Sequence, residues 1–385
     1  MRLFTRLIAG TSIGALALLA GPVAAAHADG AHFDGDHYSH SSSAVFVQSN
    51  DPTGNHVLVY GRANDGSLIA AGSYATGGNG GAEVGAVVDP LASQGSLAYD
   101  ADDHLLLVTN AGSNSLSVFS VDGTHLWLRQ VLDSGGLFPT SVTINDDLAY
   151  VLDAGGNGAV AGFRVRDGGL DPIGDSVRAL GLANTNPPAF LAGPGQVGFS
   201  PDGQHLVVTT KANGTIDVFD VRHHGRLSDN PVVNPPAGAV PFGFTFDDAG
   251  RLVVVEAGTS SVSTYEIRHD GTLKVVSGPV TDSQAAACWI TGAVHHNFYV
   301  ANAGSATISG FHVSPSGSVS LLPTLVHTAG GPIDLVASPD GRFVYSENGG
   351  AGTIDIFAVQ SDGSLIAAGQ VTGLSAHVIE GIAIS

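Results

Sequence analysis

Short apolar runs recur along most of the chain, each bounded by Gly, Asp, Asn, Ser or Pro. The clearest stretches are "QVGFSPDGQHLVVTTKANGTIDVFDV", "FGFTFDDAGRLVVVEAGTSSVSTYEI" and "DLVASPDGRFVYSENGGAGTIDIFAV". Each reads as a short strand, a turn often spelled "SPDG", a β-branched strand, Asn or an acid with Gly or Ser, and a third strand; a "DG" turn and a fourth follow. Alternating apolar positions between turn residues predict strands. One phrase, "NAGSNSLSVF" at 110–119, returns nearly unchanged as "NAGSATISGF" at 302–311, so the pattern is a repeat rather than a series of unrelated hairpins.

The residue ending the second strand of each unit is Asn50, Asn110, Asp153, Thr210, Glu256, Asn302 or Asn348. The last four are evenly spaced, at the ~40–50-residue period of propeller blades, and the earlier intervals vary with the loops after the fourth strand. Seven four-stranded units predict an all-β, seven-bladed β-propeller over residues 44–385. The first unit, from "AVFVQSN", lacks an inner strand, and the chain ends in an orphan "GIAIS". If the C-terminal strand completes the first blade beside Val45–Gln48, the ring closes and no inner edge is left unpaired. Trp-Asp signatures of WD repeats are absent, and a parallel β-helix has a shorter period.

Composition fits this picture. Of 385 residues, 43% are apolar, 12% are charged and 53 are glycine, which suits many short strands and turns better than helices. The first 28 residues differ in kind: Arg2 and Arg6 precede an apolar run, Leu7–Ala20, and Ala26 and Ala28 flank His27. This is the pattern of a secretory signal peptide cleaved after Ala28, and the run is short of the ~20 residues a membrane span needs. The protein is therefore expected to be secreted, extracellular or periplasmic, without membrane attachment after cleavage, and monomeric. Residues 29–43 mix His32, His37 and His40 with Asp29, Asp34 and Asp36, and read as a flexible tail with nothing to order a metal site.

The formal net charge is −20, from 34 acidic and 14 basic residues, and losing Arg2 and Arg6 makes it more negative. Such a surface disfavours nucleic acid. The single cysteine, Cys288, forms no internal disulfide and reads as a packing residue.

The "SPDG" turns, the "VTNAGSNSLSVF" type of second and third strands, the "DGSL" turns and the segment "AACWITG" resemble the seven-bladed propeller lactonase family, which groups 6-phosphogluconolactonase-like and carboxymuconate cyclase-like proteins. The resemblance covers roughly residues 44–385. It implies opening or closing of a lactone ring on a small carboxylated molecule without a cofactor. It also implies histidines near the blade axis, with a His-x-His entering an inner strand of a middle blade; here Pro194 and Gln196 stand in that stretch.

Antiparallel strands put the start of each inner strand and the end of each second strand on one rim of the channel. That rim collects Ser96, Ser141, Gln196, Cys288, Trp289, Asp334 and Glu380, and then Asp153, Lys211, Glu256, Asn302, Glu347 and Asn348; His327 and His377 lie on loops leading into it. Lactone hydrolysis needs a base for water and a positive or hydrogen-bonding group for the oxyanion. His377 or Glu380 is the candidate base and Asp334 its orienting partner. Lys211, Gln196, Asn302 and Asn348 are candidate holders of a carboxylate or oxyanion, and Trp289 a pocket floor or a filler between blades. Glu256 is a catalytic candidate or the partner of Lys211 across adjacent blades. Asp, Glu and Asn around a channel also suit calcium, although no metal is assigned. The rival to a lactonase is a non-catalytic extracellular propeller that binds a ligand, glycan or protein through its rim. No serine-hydrolase elbow, P-loop, zincin or c-type haem motif is present.

Overall fold

The computed structural model describes residues 43–385; the expected signal peptide, 1–28, and all but the last residue of the 29–43 tail lie outside them. Seven antiparallel sheets follow one another, as the repeat predicts, and Ile382–Ile384 pairs with Ala44–Gln48 as the inner strand of blade 1. The inner strands of blades 2 to 7 are Leu97–Asp100, Pro139–Asn145, Pro194–Phe199, Pro241–Phe246, Ala287–Gly292 and Pro332–Ala337. Blade 3 departs from the rule: Arg178–Ala179 adds a fifth strand beside Ala159–Arg166. Among the described residues the only helices are three short 3-10 turns.

The sequence suggested alternation in every strand, and burial differs from that. The second strands Leu105–Asn110, His205–Thr210, Asn297–Asn302 and Phe343–Asn348 are buried at every position. Both of their faces are covered by neighbouring blades, so consecutive apolar residues replace alternation at their centres and polar residues stand at their ends. The outermost strands, such as Leu68–Ala75 and Leu365–Thr372, are largely exposed. The core is accordingly divided among blade interfaces. Phe46, Val57 and Val59 of blade 1 pack on Leu106, Val108 and Phe119 of blade 2, for example.

Tyrosines link successive blades. The Tyr299 hydroxyl of blade 6 donates to Gly363 O of blade 7 at 3.0 Å, and Tyr345 of blade 7 donates to Gly66 O of blade 1 at 3.0 Å. Tyr150 makes the same reach to Gly225. Gly66 and Gly363 lie in "DG" turns, and Gly66 (φ 84) could not carry a side chain because a Cβ would strike the Phe343 ring.

The repeated phrase also has a physical cause. In blades 2, 5 and 6 the residue ending the second strand bonds hydroxyls five and seven positions later on the third strand. Asn110 Nδ2 donates to Ser115 Oγ (3.3 Å) and Ser117 Oγ (2.7 Å); Asn302 Nδ2 donates to Thr307 Oγ1 (3.2 Å) and Ser309 Oγ (2.9 Å). Glu256 occupies this position in blade 5 and accepts from Ser261 (3.0 Å), Ser263 (2.8 Å) and Tyr265 (2.6 Å). Truncating the fully buried Glu256 would leave the Ser263 hydroxyl without a partner and the Tyr265 hydroxyl without an acceptor, while Ser261 keeps its bond to Thr259. Glu256→Ala is expected to cost about 3 kcal/mol or more, and Glu256→Gln distinctly less, in chemical denaturation. Equal stability of both variants would show that the latch contributes little.

Candidate functional site

The connection between blades 1 and 2, residues 76–96, runs across the channel instead of around it. Its glycines permit the path: a Cβ on Gly80 would collide with the Asn50 carbonyl, and one on Gly78 would lie 2.5 Å from Asn110 Cγ. Val84 N donates to Pro188 O at 2.8 Å, and Phe190 N returns to Val84 O at 3.1 Å. Ser93 Oγ donates to Thr140 O of blade 3 (2.7 Å), Gln94 N to Gly195 O of blade 4 (2.9 Å) and Gln94 Nε2 to Ile290 O of blade 6 (2.8 Å). A single segment bonded to the inner strands of blades 3, 4 and 6 must occupy the central opening at the rim where those strands begin.

Acidic side chains and one lysine gather at this plug. Glu83, Asp89, Asp334, Glu347, Glu380 and Lys211 are all buried. Lys211 Nζ donates to Ala92 O at 2.6 Å and lies 3.9 Å from Glu83 Oε2, with the rings of Phe190 and Phe242 at 5.7 and 5.3 Å. Neither carboxylate oxygen of Glu83 accepts a hydrogen bond. Asp89 accepts from Ala92 N at 2.7 Å; Glu380 accepts from Leu91 N at 3.1 Å; Asp334 accepts from Leu335 N at 2.8 Å and Ile382 N at 3.4 Å.

Desolvation raises the pKa of all five carboxyls, because the charged form is the one burial penalises. Glu83 is pushed up to about 9 by burial and the Asp89 charge, against the pull of Lys211. Asp89 rises to about 6, burial being opposed by Glu380, Lys211 and the Ala92 and Leu91 amides. Asp334 reaches about 7, mainly through burial. Glu347 and Glu380 are held well above the usual carboxyl range by burial and by their acidic neighbours. Among the described residues no three His, Cys, Asp or Glu side chains are grouped to hold a metal ion.

The candidates from sequence thus divide. Lys211, Asp334 and Glu380 face the plugged rim. Trp289 is buried there too, donating Nε1–H to Ser93 O at 2.9 Å and packing edge-on against Phe242 at 5.3 Å. His377 is exposed on the outer side of the segment, its Nδ1 2.9 Å from Val87 O. Gln196 ties blade 4 to blade 5 by accepting from Phe244 N at 2.6 Å. Asn302, Asn348 and Glu256 serve the strand-end latch, Asn348 through Thr353 at 3.0 Å. The pairing of Glu256 with Lys211 does not form: the ammonium meets Glu83 and the Ala92 carbonyl, while three hydroxyls satisfy Glu256. Burial and the Asp89 charge push the Cys288 thiol far up, as suits a packing residue.

Sequence reasoning missed Glu83 and Asp89. They stand outside the strand repeat, and the available signal was the unusual connection "TGGNGGAEVGAVVDPLASQG", rich in glycine with isolated acids among apolar residues.

The sequence signature of the family described as lactonase, 7-bladed beta-propeller, matches residues 158–288 and 256–378. None of the curated proteins matches the chain. Solved structures do. A Bacteroides uniformis protein proposed to be a 6-phosphogluconolactonase is 17% identical with a TM-score of 0.71, over 89% of this chain and 99% of that one. A Lactobacillus plantarum protein is 18% identical with a TM-score of 0.71, over 89% and 99%. The periplasmic gluconolactonase of Pseudomonas aeruginosa is 17% identical with a TM-score of 0.68, over 89% and 98%. At these identities the likeness concerns the fold, whereas the signature extends over more than half of the sequence. The chain belongs to the seven-bladed β-propeller lactonase family.

Proposed function

We propose that the protein is an exported lactonase that opens or closes the ring of a small carboxylated lactone without a cofactor, at the channel rim beneath residues 76–96. The observation that carries this reading is the placement of Lys211 beside two carboxyls whose environments separate their acidities, Asp89 at about 6 and Glu83 at about 9. Such a separation assigns base and acid. At neutral pH Asp89 is ionised and takes a proton from water as the water oxygen bonds to the lactone carbonyl carbon. The Lys211 ammonium stabilises the oxyanion or the substrate carboxylate. Protonated Glu83 supplies the proton to the ring oxygen as its bond to that carbon breaks, and the sum is one water added across one ester bond. Asp334 and Glu380 set the local field, and Glu380 and His377 also anchor the segment. Substrate enters when residues 76–96 open, with glycines at 77, 78, 80, 81 and 85 giving the segment freedom. Chemistry follows its return, because Glu83 and Asp89 ride on it and meet Lys211 only when it is closed. Export rests on the N-terminal pattern of Arg2, Arg6 and Leu7–Ala20; no helix of the described residues is long and apolar enough to cross a membrane.

The test is turnover of aliphatic, sugar and carboxylated muconolactone-type lactones by the mature protein. Lys211→Met and Asp89→Asn are expected to lower kcat by ~10²–10³-fold while retaining the circular dichroism of the parent. The pH–rate profile should rise near pH 6 and fall near pH 9. A second reading, a non-catalytic propeller that binds through its rim, is favoured by the closed mouth and by Pro194 and Gln196. Well-folded protein that turns over no lactone would establish it over the first.

A further inference from the structure

On the outer part of blades 3 and 4 basic side chains are concentrated, interspersed with Asp171, Asp175 and Asp229. Of the chain's 14 lysines and arginines, five (Arg164, Arg166, Arg178, Arg222 and Arg226) line two cavities of about 700 and 630 Å³. The cavities adjoin, since His223 and Arg226 line both. Two of the arginines are already engaged: Arg164 pairs with Asp147, and Arg178 donates to the Ser228 (2.9 Å) and Leu227 (3.2 Å) carbonyls and lies 3.6 Å from Asp229. Arg166, Arg222 and Arg226 have no acidic partner within ion-pair distance among the described residues, nor do His223 and His224. Unpaired cations are unexpected in a chain of net charge −20, where acids outnumber them.

The turn carrying them is fixed. Arg222 N donates to Arg226 O at 2.7 Å, Gly225 N donates to Arg222 O at 3.0 Å, and the Tyr150 hydroxyl holds the Gly225 carbonyl. Gly225 (φ 70) packs so closely on Leu148 that a Cβ would collide with it. The backbone therefore presents the cationic side chains in a set direction.

We infer that this groove binds an acidic polysaccharide, a linear chain of carboxylate or sulfate groups. Guanidinium forks match such oxyanions bidentately. Both cavities are open, so one exposed contact with one small ion is worth little, whereas charges repeated along a chain engage both cavities at once. Neither cavity is lined by Phe, Tyr or Trp, the large rings on which single-stranded nucleic acid stacks most strongly.

The experiment is titration of the whole protein with dextran sulfate, polygalacturonate and neutral dextran, in low and in moderate salt. Either anionic polymer should bind in low salt and weaken steeply as salt rises, while neutral dextran does not bind. Arg166→Ala combined with Arg226→Ala, both exposed positions, should weaken binding at least tenfold, and Arg129→Ala on blade 2 should leave it unchanged. Equal loss in the Arg129 variant, no binding to either anionic polymer, or binding of inorganic phosphate or a DNA duplex as tight as that of the polymers would each overturn the proposal. Binding does not depend on lactone turnover, so the two readings stand or fall separately.

Discussion

Deletion of Gly381–Ser385 is expected to abolish cooperative folding of the propeller. The removed residues make the Gln48 N to Gly381 O (3.2 Å) and Ser385 N to Ala44 O (2.9 Å) bonds, and Ser43 Oγ and Ala44 N also bond to Ser385 at 2.6 and 2.8 Å. Each such bond is worth about 1 kcal/mol net, and the loss uncovers Ala44, Val45, Phe46 and Val47, all at 0% exposure. Burial of a Val- or Phe-sized side chain is worth about 1.5–3 kcal/mol, so partial exposure of this strand with the lost bonds approaches the whole ~5–15 kcal/mol of a typical domain. The damage also spreads inward. Asp334 loses the Ile382 amide, and the breached wall admits water to the buried carboxyls. Thermal melting and limited proteolysis give the measurement: the truncated chain should lack a sharp transition and be cleaved rapidly, while Ser385→Ala should stay close to the parent. A truncated chain melting within a few degrees of the full one would show that the ring does not depend on its clasp.

The clasp was legible before the structure because strand count, period and termini are all local properties of the sequence. The repeat of Asn110 and Asn302 was equally visible, and its cause, hydroxyls at the fifth and seventh positions, is written in the same phrase. Glu256 was harder to place: a charge at a strand end reads as functional unless Ser261, Ser263 and Tyr265 are seen to be its partners. The channel was legible only in part. Lys211, Asp334 and Glu380 follow from the rule that strand ends share a rim, but Glu83 and Asp89 reach it on a connection that belongs to no repeat. Periodicity locates the residues a blade holds in register; it says nothing of a long loop whose course is set by contacts with Gly195, Thr140 and Ile290, far away in sequence. The cationic groove shows the same limit, because it joins the turn at 222–226 to arginines of a different blade.

The buried carboxyls lead to an expectation for stability against pH. Each has a folded-state pKa raised above its unfolded value, so the folded state keeps a proton that the unfolded chain releases above about pH 4. The stability such a group contributes is complete below the unfolded value and is lost as pH rises through the folded one. The relevant values are about 6 for Asp89, about 7 for Asp334 and for Asp153, and about 9 for Glu83, with Glu347 and Glu380 also raised. Each proton held only by the folded state changes stability by about 1.4 kcal/mol per pH unit. Even two of them give about 3 kcal/mol per unit, and mutual repulsion among the channel carboxyls spreads their proton release over a range of pH. Carboxyls with lowered values, such as Asp51 and Asp65, act in the opposite sense but below about pH 4. The protein should therefore be most stable near pH 5 and lose stability continuously to pH 8, with protons released on unfolding at pH 7. Calorimetric melts at pH 5, 6.5 and 8 in buffers of differing ionisation enthalpy measure both. A melting temperature that stays flat or rises over this range would mean the folded channel holds its carboxylates ionised. Glu83→Gln separates stability from chemistry: the amide carries no titrating proton, so this variant should hold its stability better than the parent at pH 8. If Glu83 is the proposed general acid, this variant should nevertheless lose lactone turnover, because the amide has no proton to give to the ring oxygen.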